Sequence, residues 1–385
     1  MLENAFVGTK RYYGLLAVLA AIFAIGFLAY LKQYTFGLAI TGMGRDVSWG
    51  LYIAQFTYLV GVAASAVMVV LPYYLHNYKA FGRITILGEF LAVAAVVMCV
   101  TFVVVDMGRP DRVLNVFMYP SPNSVMFWDI IVLNGYLLLN IFIGWNVLEA
   151  ERNSVPPPKW VKALIYVSIP WAVSIHTVTA FLYAGLPGRG FWLTAVLAPR
   201  FLSSAFCSGP ALLVLLCLLV RRFSKFDPGR EQIQTLAKII TYAVIINVFF
   251  FLCEVFTVFY SQLPDHMQHF KYLFVGLEGH GKLVPLMWIS FIGMVAASLM
   301  MVSPKIRADE NKLAAVCGLI ILTTWIDKGM GLISGGFIPN PLERVTEYWP
   351  TLPEALITLG VWAMGFLILT VLYKVAVSIK EELRA

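Results

Sequence analysis

The residues of this chain best equipped to move a proton are His176, Asp129 and Glu254. His176 and Glu254 lie within long apolar runs, and Asp129 lies near the start of another. An ionisable side chain in such a run costs ~2.5–3.5 kcal/mol or more unless it faces protein or water, so each demands a reason. Histidine exchanges protons near neutrality. Gln55, Tyr58, Tyr183 and Ser204 add hydrogen-bonding groups at a similar depth. Together these types suit a neutral, membrane-soluble ligand with carbonyl or hydroxyl groups. A quinone fits, because its head group needs hydrogen-bond donors near the membrane interface and proton-exchanging groups beside them.

Other chemistries fit less well. Ligation of haem b needs paired intramembrane histidines, and only His176 lies clearly within an apolar run. A tetrahedral zinc site lacks its nitrogen and sulfur ligands, and no metal site is expected. The five cysteines, Cys99, Cys207, Cys217, Cys253 and Cys317, all fall in apolar runs without a CxxC pair. They read as buried structural thiols, with no local spacing for an iron–sulfur cluster or haem attachment. GLPGRG follows a membrane run rather than a strand, so it is no dinucleotide fingerprint. Electrons for a quinone therefore have to come from another subunit.

The elements that must position these groups are membrane helices. Of 385 residues, 60% are hydrophobic and only 13% charged. Soluble domains are about a quarter charged, so the chain is an all-α integral membrane protein whose main partner is the lipid bilayer. Apolar runs cover residues 13–31, 51–75, 84–106, 125–148, 161–186, 201–221, 237–261, 283–302, 313–333 and 353–376. Each is long enough to cross a hydrocarbon core of about 30 Å. The first run is too long for a signal-peptide core and reads as a retained helix. The alternation is too weak for a β-barrel.

Charge sets the orientation. The 28 Lys and Arg residues split 18 to 10 in favour of the side that holds both termini. That places the N- and C-termini in the cytoplasm and the chain in the cytoplasmic membrane. The net charge of +7 follows from these basic inner loops rather than from nucleic-acid binding, which is not expected. The outer loops are longer and carry Gly, Pro and aromatic residues, as a docking surface would.

A faint repeat with a shift of about 151 residues lays the second run on the sixth and the fifth on the ninth. It sets Asp129 against His280 and His176 against Asp327. The expected architecture is a single membrane domain, residues 1–385. It comprises a first flanking helix (13–31), a four-helix bundle (51–186), a second such bundle (201–333) and a last flanking helix (353–376). The two flanking helices carry no interior ionisable residue and should face lipid.

With this orientation the polar residues gather in the outer half. Gln55, Tyr58, Asp106, Asp129, His176, Tyr183, Ser203, Ser204, Glu254, Glu278, His280, Asp327 and Lys328 all fall there. The inner half holds Glu89, Asn140, Thr241 and Tyr242, of which Glu89, Asn140 and Tyr242 sketch a path for protons toward the cytoplasm. A secondary transporter with parallel repeats would instead place its site at mid-membrane. A structural anchor without a quinone site is the third reading.

The strings DMGRPDRV, YPSPNSVMFWD, IPWAVSIHTVTAFLYA with GRGFW, and APRFLSSAFCSGPAL occur in this order. With SWGLYIAQFTYLVGVAAS ahead of them, they resemble the NrfD/PsrC-like family, the membrane subunits of polysulfide and nitrite reductase complexes. The strings look most like the member found in the DsrMKJOP complex of dissimilatory sulfur metabolism. The resemblance spans runs two to nine. It implies a quinone, usually menaquinone, near the outer face, and a ferredoxin-like iron–sulfur subunit docked outside. It implies neither haem nor an iron–sulfur cluster in the chain itself. Further subunits of a DsrMKJOP-like complex, including a second membrane subunit, are implied as partners. His176 matches the family's histidine on the fifth helix, and Asp129 falls in its SVMFWD string. The polysulfide reductase member has a histidine on the helix matching run two. Gln55 stands there instead, able to donate a hydrogen bond but not to exchange a proton. That shifts the proton role to His176, Asp129 and Glu254.

Overall fold

The computed structural model describes residues 2–63 and 65–383. Ten helices among them are long and apolar enough to cross a membrane. They run Lys10–Ile40, Leu51–Tyr74, Thr85–Asp106, Val125–Arg152, Lys159–Ala184, Leu197–Phe223, Arg230–Tyr260, Val284–Val302, Glu310–Phe337 and Leu352–Glu382. The chain is thus a multi-pass integral membrane protein. Most helices run past the apolar stretch that announces them, because polar end residues continue the backbone ladder that the bilayer interior demands.

The second span is the axis of the molecule. Every residue of Leu51–Ala63 is buried. Spans two to five pack around one another in chain order, and spans six to nine do the same. These two four-helix bundles meet where the second span lies on the sixth and ninth and the fifth lies on the sixth. We call this junction the seam. Gly209 on the sixth span permits the close approach: a Cβ there would fall 3.0 Å from the backbone nitrogen of Ser65.

The expectation that both flanking spans face lipid holds for the first and fails for the tenth. The first span exposes nearly its whole length and touches the body through the tenth. Gly26 and Gly360 bring the two backbones together, since a Cβ on Gly26 would sit 2.5 Å from the Gly360 Cα. The tenth span packs on the third. Tyr373 on it donates to the Leu87 carbonyl at 2.7 Å, and Trp362 reaches the buried Gln55. Small residues and the aromatic side chains of Trp362 and Tyr373, which carry one polar atom each, do this without any ionisable group buried at the contact, so charge alone does not mark the span as interior.

Both termini share one face, where Asn4 donates to Glu382. The long loops share the other, here called the loop face. A short helix, Pro264–Phe274, lies across it, with His269 donating from Nδ1 to the Ile338 carbonyl at 2.9 Å. Tyr348 accepts from the Leu51 amide at 2.7 Å and donates to Glu354 at 2.6 Å. Glu354 in turn closes a capping box with Thr351 and accepts from the Gly42 amide. One tyrosine therefore satisfies the start of the second span while one carboxylate satisfies the start of the tenth. His280 lies in the turn before the eighth span, about half exposed and 3.5 Å from Glu347. It does not share the depth of Asp129, so that part of the repeat fails. The His176–Asp327 correspondence lies on the fifth and ninth spans as expected.

Replacing Tyr348 with Phe should cost ~1–3 kcal/mol, because it strands a buried amide and removes a donor from Glu354. A lower midpoint in thermal unfolding of the purified chain in nanodiscs checks this. His269 gives a pH effect. Burial holds its imidazole below the ordinary 6.5. The unfolded chain then binds the extra proton first, so the stability of the docked loop-face helix is full above that value. It falls as pH drops from there through the lowered native value. Proteolysis of the 264–274 segment should speed up on acidification, and His269→Gln should flatten that dependence.

Candidate functional site

The densest charge in the membrane body centres on Arg200. Its guanidinium is bonded through Nη1 to Glu254 and through Nη2 to Asp327 Oδ1, the latter at 2.6 Å. It also lies over the Phe251 ring, 5.2 Å from the centroid. All three members of the cluster are largely buried. Arg200 sits one turn into the sixth span and points inward, rather than lying in the outer loop where its place in the sequence suggests. A signal does exist: Ser203, Ser204 and Cys207, at i+3, i+4 and i+7, are all buried with it on one helical face.

The ninth span makes this cluster through a π-helical turn, Ile326–Gly331. Such wide turns cluster at functional sites. Asp327 faces Arg200, while Lys328 reaches the seam. The Lys328 Nζ lies 3.3 Å from the Phe201 carbonyl and 4.3 Å from the Phe201 ring centroid. A Cβ added to Gly61 on the second span would sit 3.2 Å from it. The two neighbours are therefore not partners for each other. Two cations and two carboxylates share this region, which suits a site that must hold charge away from water.

His176 is completely buried, and neither ring nitrogen has a hydrogen-bond partner among the described residues. Lys328 is close enough for its charge to act on the ring. Tyr183, two turns further along the same face, meets Thr57 Oγ1 at 2.5 Å and joins the second span. It stands in an aromatic cluster with Trp49, Trp192 and Phe201. Trp192 is fixed by its own bond to the Leu332 carbonyl at 2.9 Å. Ser204 donates to the Phe201 carbonyl and lines a small cavity with Arg200, Asp327 and Lys328. The seam thus brings His176, Tyr183, Ser204 and Lys328 to one region.

The remaining candidates fall elsewhere. Asp129 lies behind the fifth span, 2.6 Å from the Thr179 hydroxyl. Gln55 and Tyr58 turn toward the tenth span. The Gln55 Oε1 accepts from Trp325 at 3.0 Å and from Trp362 at 2.9 Å. Both indoles are donors only, which fixes the amide and leaves its nitrogen as the free end. The Tyr58 hydroxyl is buried without a partner among the described residues. Glu254 belongs to the second bundle, with Arg200. Among the inner residues, Glu89 is buried with neither oxygen bonded, and Asn140 donates to the Tyr136 carbonyl. Tyr242 corrects the expected inner path: it is 69% exposed on the outside of the seventh span and lines no interior route.

Arg200→Met leaves Glu254 and Asp327 buried without their cation and should cost ~3–5 kcal/mol. The triple variant with Glu254→Gln and Asp327→Asn should recover most of it, read as unfolding midpoints in nanodiscs.

Known proteins with related sequences fall in line with this architecture. Residues 39–328 match the model of the family described as polysulphide reductase, NrfD. A putative dimethyl sulfoxide reductase membrane protein of Halobacterium salinarum is 27% identical, over 92% of this chain and 89% of its own. An Hdr-like menaquinol oxidoreductase integral membrane subunit of Archaeoglobus fulgidus is 24% identical, over 97% and 95%. A menaquinone reductase integral membrane subunit of Nitratidesulfovibrio vulgaris is 21% identical, over 93% and 90%. With the family model covering most of its length and ten spans in two packed bundles, the chain belongs to the NrfD polysulphide reductase family.

Proposed function

We propose that this chain is the quinone-binding membrane subunit of a multi-subunit oxidoreductase, with menaquinone the favoured quinone. The observation that carries the reading is His176, fully buried with two ring nitrogens and no partner among the described residues. An orphaned polar group of this kind costs ~1–3 kcal/mol, which a hydrogen-bonding ligand offsets. Two of the relatives are named for menaquinol or menaquinone, and subunit names among the relatives support an assembly.

The residues fit such a head group. When bound, a quinone carries two electrons and two protons. His176 donates to or accepts from a ring oxygen and exchanges a proton there. Tyr183 and the aromatic cluster around Trp192 fix the ring plane and exclude water. Lys328 supplies positive charge beside the site, where oxygen gains electron density. Asp129, held by Thr179, relays protons behind the fifth span. Glu254 holds Arg200 in place. The free amide end of Gln55 and the Tyr58 hydroxyl offer donors on the far side of the second span. Glu89 and Asn140 extend a proton route toward the terminal face.

On this reading the terminal face, richer in Lys and Arg, is cytoplasmic in the bacterial or archaeal inner membrane. The loop face then receives a ferredoxin-like iron–sulfur subunit, which exchanges electrons with the quinone. Further partners are those of a DsrMKJOP-like complex of sulfur metabolism, including a second membrane subunit.

In the purified complex, His176→Ala should lower quinol-dependent reduction and raise the quinol concentration at half saturation, each by about tenfold. His176→Gln, which keeps one donor, should retain affinity but lose rate. Turnover and affinity unchanged in both variants would contradict the site.

A further inference from the structure

The seam is enclosed, but the second bundle has an opening of its own. A cleft of about 340 Å³ lies between the seventh and eighth spans. Its walls are Phe251, Phe274, Phe291 and Met287, and its floor is Asn247, Ser290 and Asp327. The flanking residues Leu252, Trp288, Ile289 and Ile292 are exposed, so the mouth faces lipid. A second cavity of about 230 Å³ shares Phe251, Phe274, Met287 and Asp327 and adds Arg200. The two together lead from the bilayer to the ion cluster, under the helix Pro264–Phe274.

The floor decides what belongs there. Ser290 already donates to the Thr323 carbonyl at 2.7 Å. Asn247 is 3% exposed; one atom of its amide rests 3.3 Å from Ser203 Oγ, and the other has no partner among the described residues. Asp327 spends one oxygen on Arg200. A lipid tail would press methylene groups on these polar atoms and leave them unpaired. A flat ring with a carbonyl or hydroxyl meets the amide at its tip and the phenylalanine and methionine walls along its faces. The cleft also lies within the ordinary size range of small-molecule sites.

We infer that this cleft is a second, lipid-accessible binding site for a quinone- or hydroquinone-class ring, with Asn247 and the Asp327–Arg200 pair contacting its oxygen. The ligand class rests on the function proposed above; the place does not, because it lies across the sixth span from His176.

Photolabelling tests it. The purified complex in nanodiscs is irradiated with an azido-naphthoquinone, with and without excess menadione, and labelled peptides are mapped. Label is expected on the seventh and eighth spans around Phe251 and Phe291, displaced by menadione and retained in His176→Ala. Val248→Trp, at the mouth, should cut this label about tenfold while leaving the unfolding midpoint and any label on the fifth span unchanged. Displaceable label confined to the fifth span overturns the cleft and leaves the His176 site standing. Label in the cleft that menadione does not displace marks a lipid-filled groove and overturns it too. No displaceable label anywhere overturns both sites.

Discussion

A charge inside a bilayer must be answered by another charge or by a ligand, and this fold is arranged around that demand. Arg200 is the clearest case. Held by Glu254 from the seventh span and Asp327 from the ninth, it ties three helices of the second bundle at one point. The π-helical turn that aims Asp327 at it also sends Lys328 the opposite way, into the seam beside Gly61 and Phe201. One local distortion thereby couples the second bundle to the region of His176. The four charges balance, so the cluster is tolerable in lipid, and its members cannot be removed singly without stranding a partner.

Against that compensated cluster, the first bundle stands out for what it leaves unanswered. His176, Tyr58 and Glu89 are buried with polar atoms that no described residue meets. They lie at different depths and on different faces, so they do not form one pocket. His176 stands with Tyr183, Ser204 and Lys328 at the seam, while Tyr58 and Gln55 face the tenth span. The tenth span is accordingly part of the working interior, and the first span rides outside it on a glycine contact.

Much of this is legible in the sequence, for a plain physical reason. A bilayer requires about twenty apolar residues per crossing, so the ten spans announce themselves. His176 is conspicuous because an ionisable residue in such a run is costly. Rotation about the helix axis is not legible where a span is apolar all round. The seventh span surrounds Tyr242 and Glu254 with the same kind of residue, yet one faces out and the other faces Arg200. Arg200 itself falls at a loop–helix border, where a basic residue reads as solvated. The π turn depends on packing and leaves no periodic trace, so the Asp-Lys pair reads as an ion pair. The cleft between the seventh and eighth spans is a property of surfaces that meet only in three dimensions.

The central claim is that a quinone head group is held at His176. A density map of the purified complex, reconstituted with menaquinone, tests it most directly. The account predicts a ring within hydrogen-bonding distance of a His176 nitrogen, stacked among Tyr183, Trp192 and their neighbours. A well-resolved seam in which His176 is met only by protein or water, with the quinone elsewhere or absent, would contradict it.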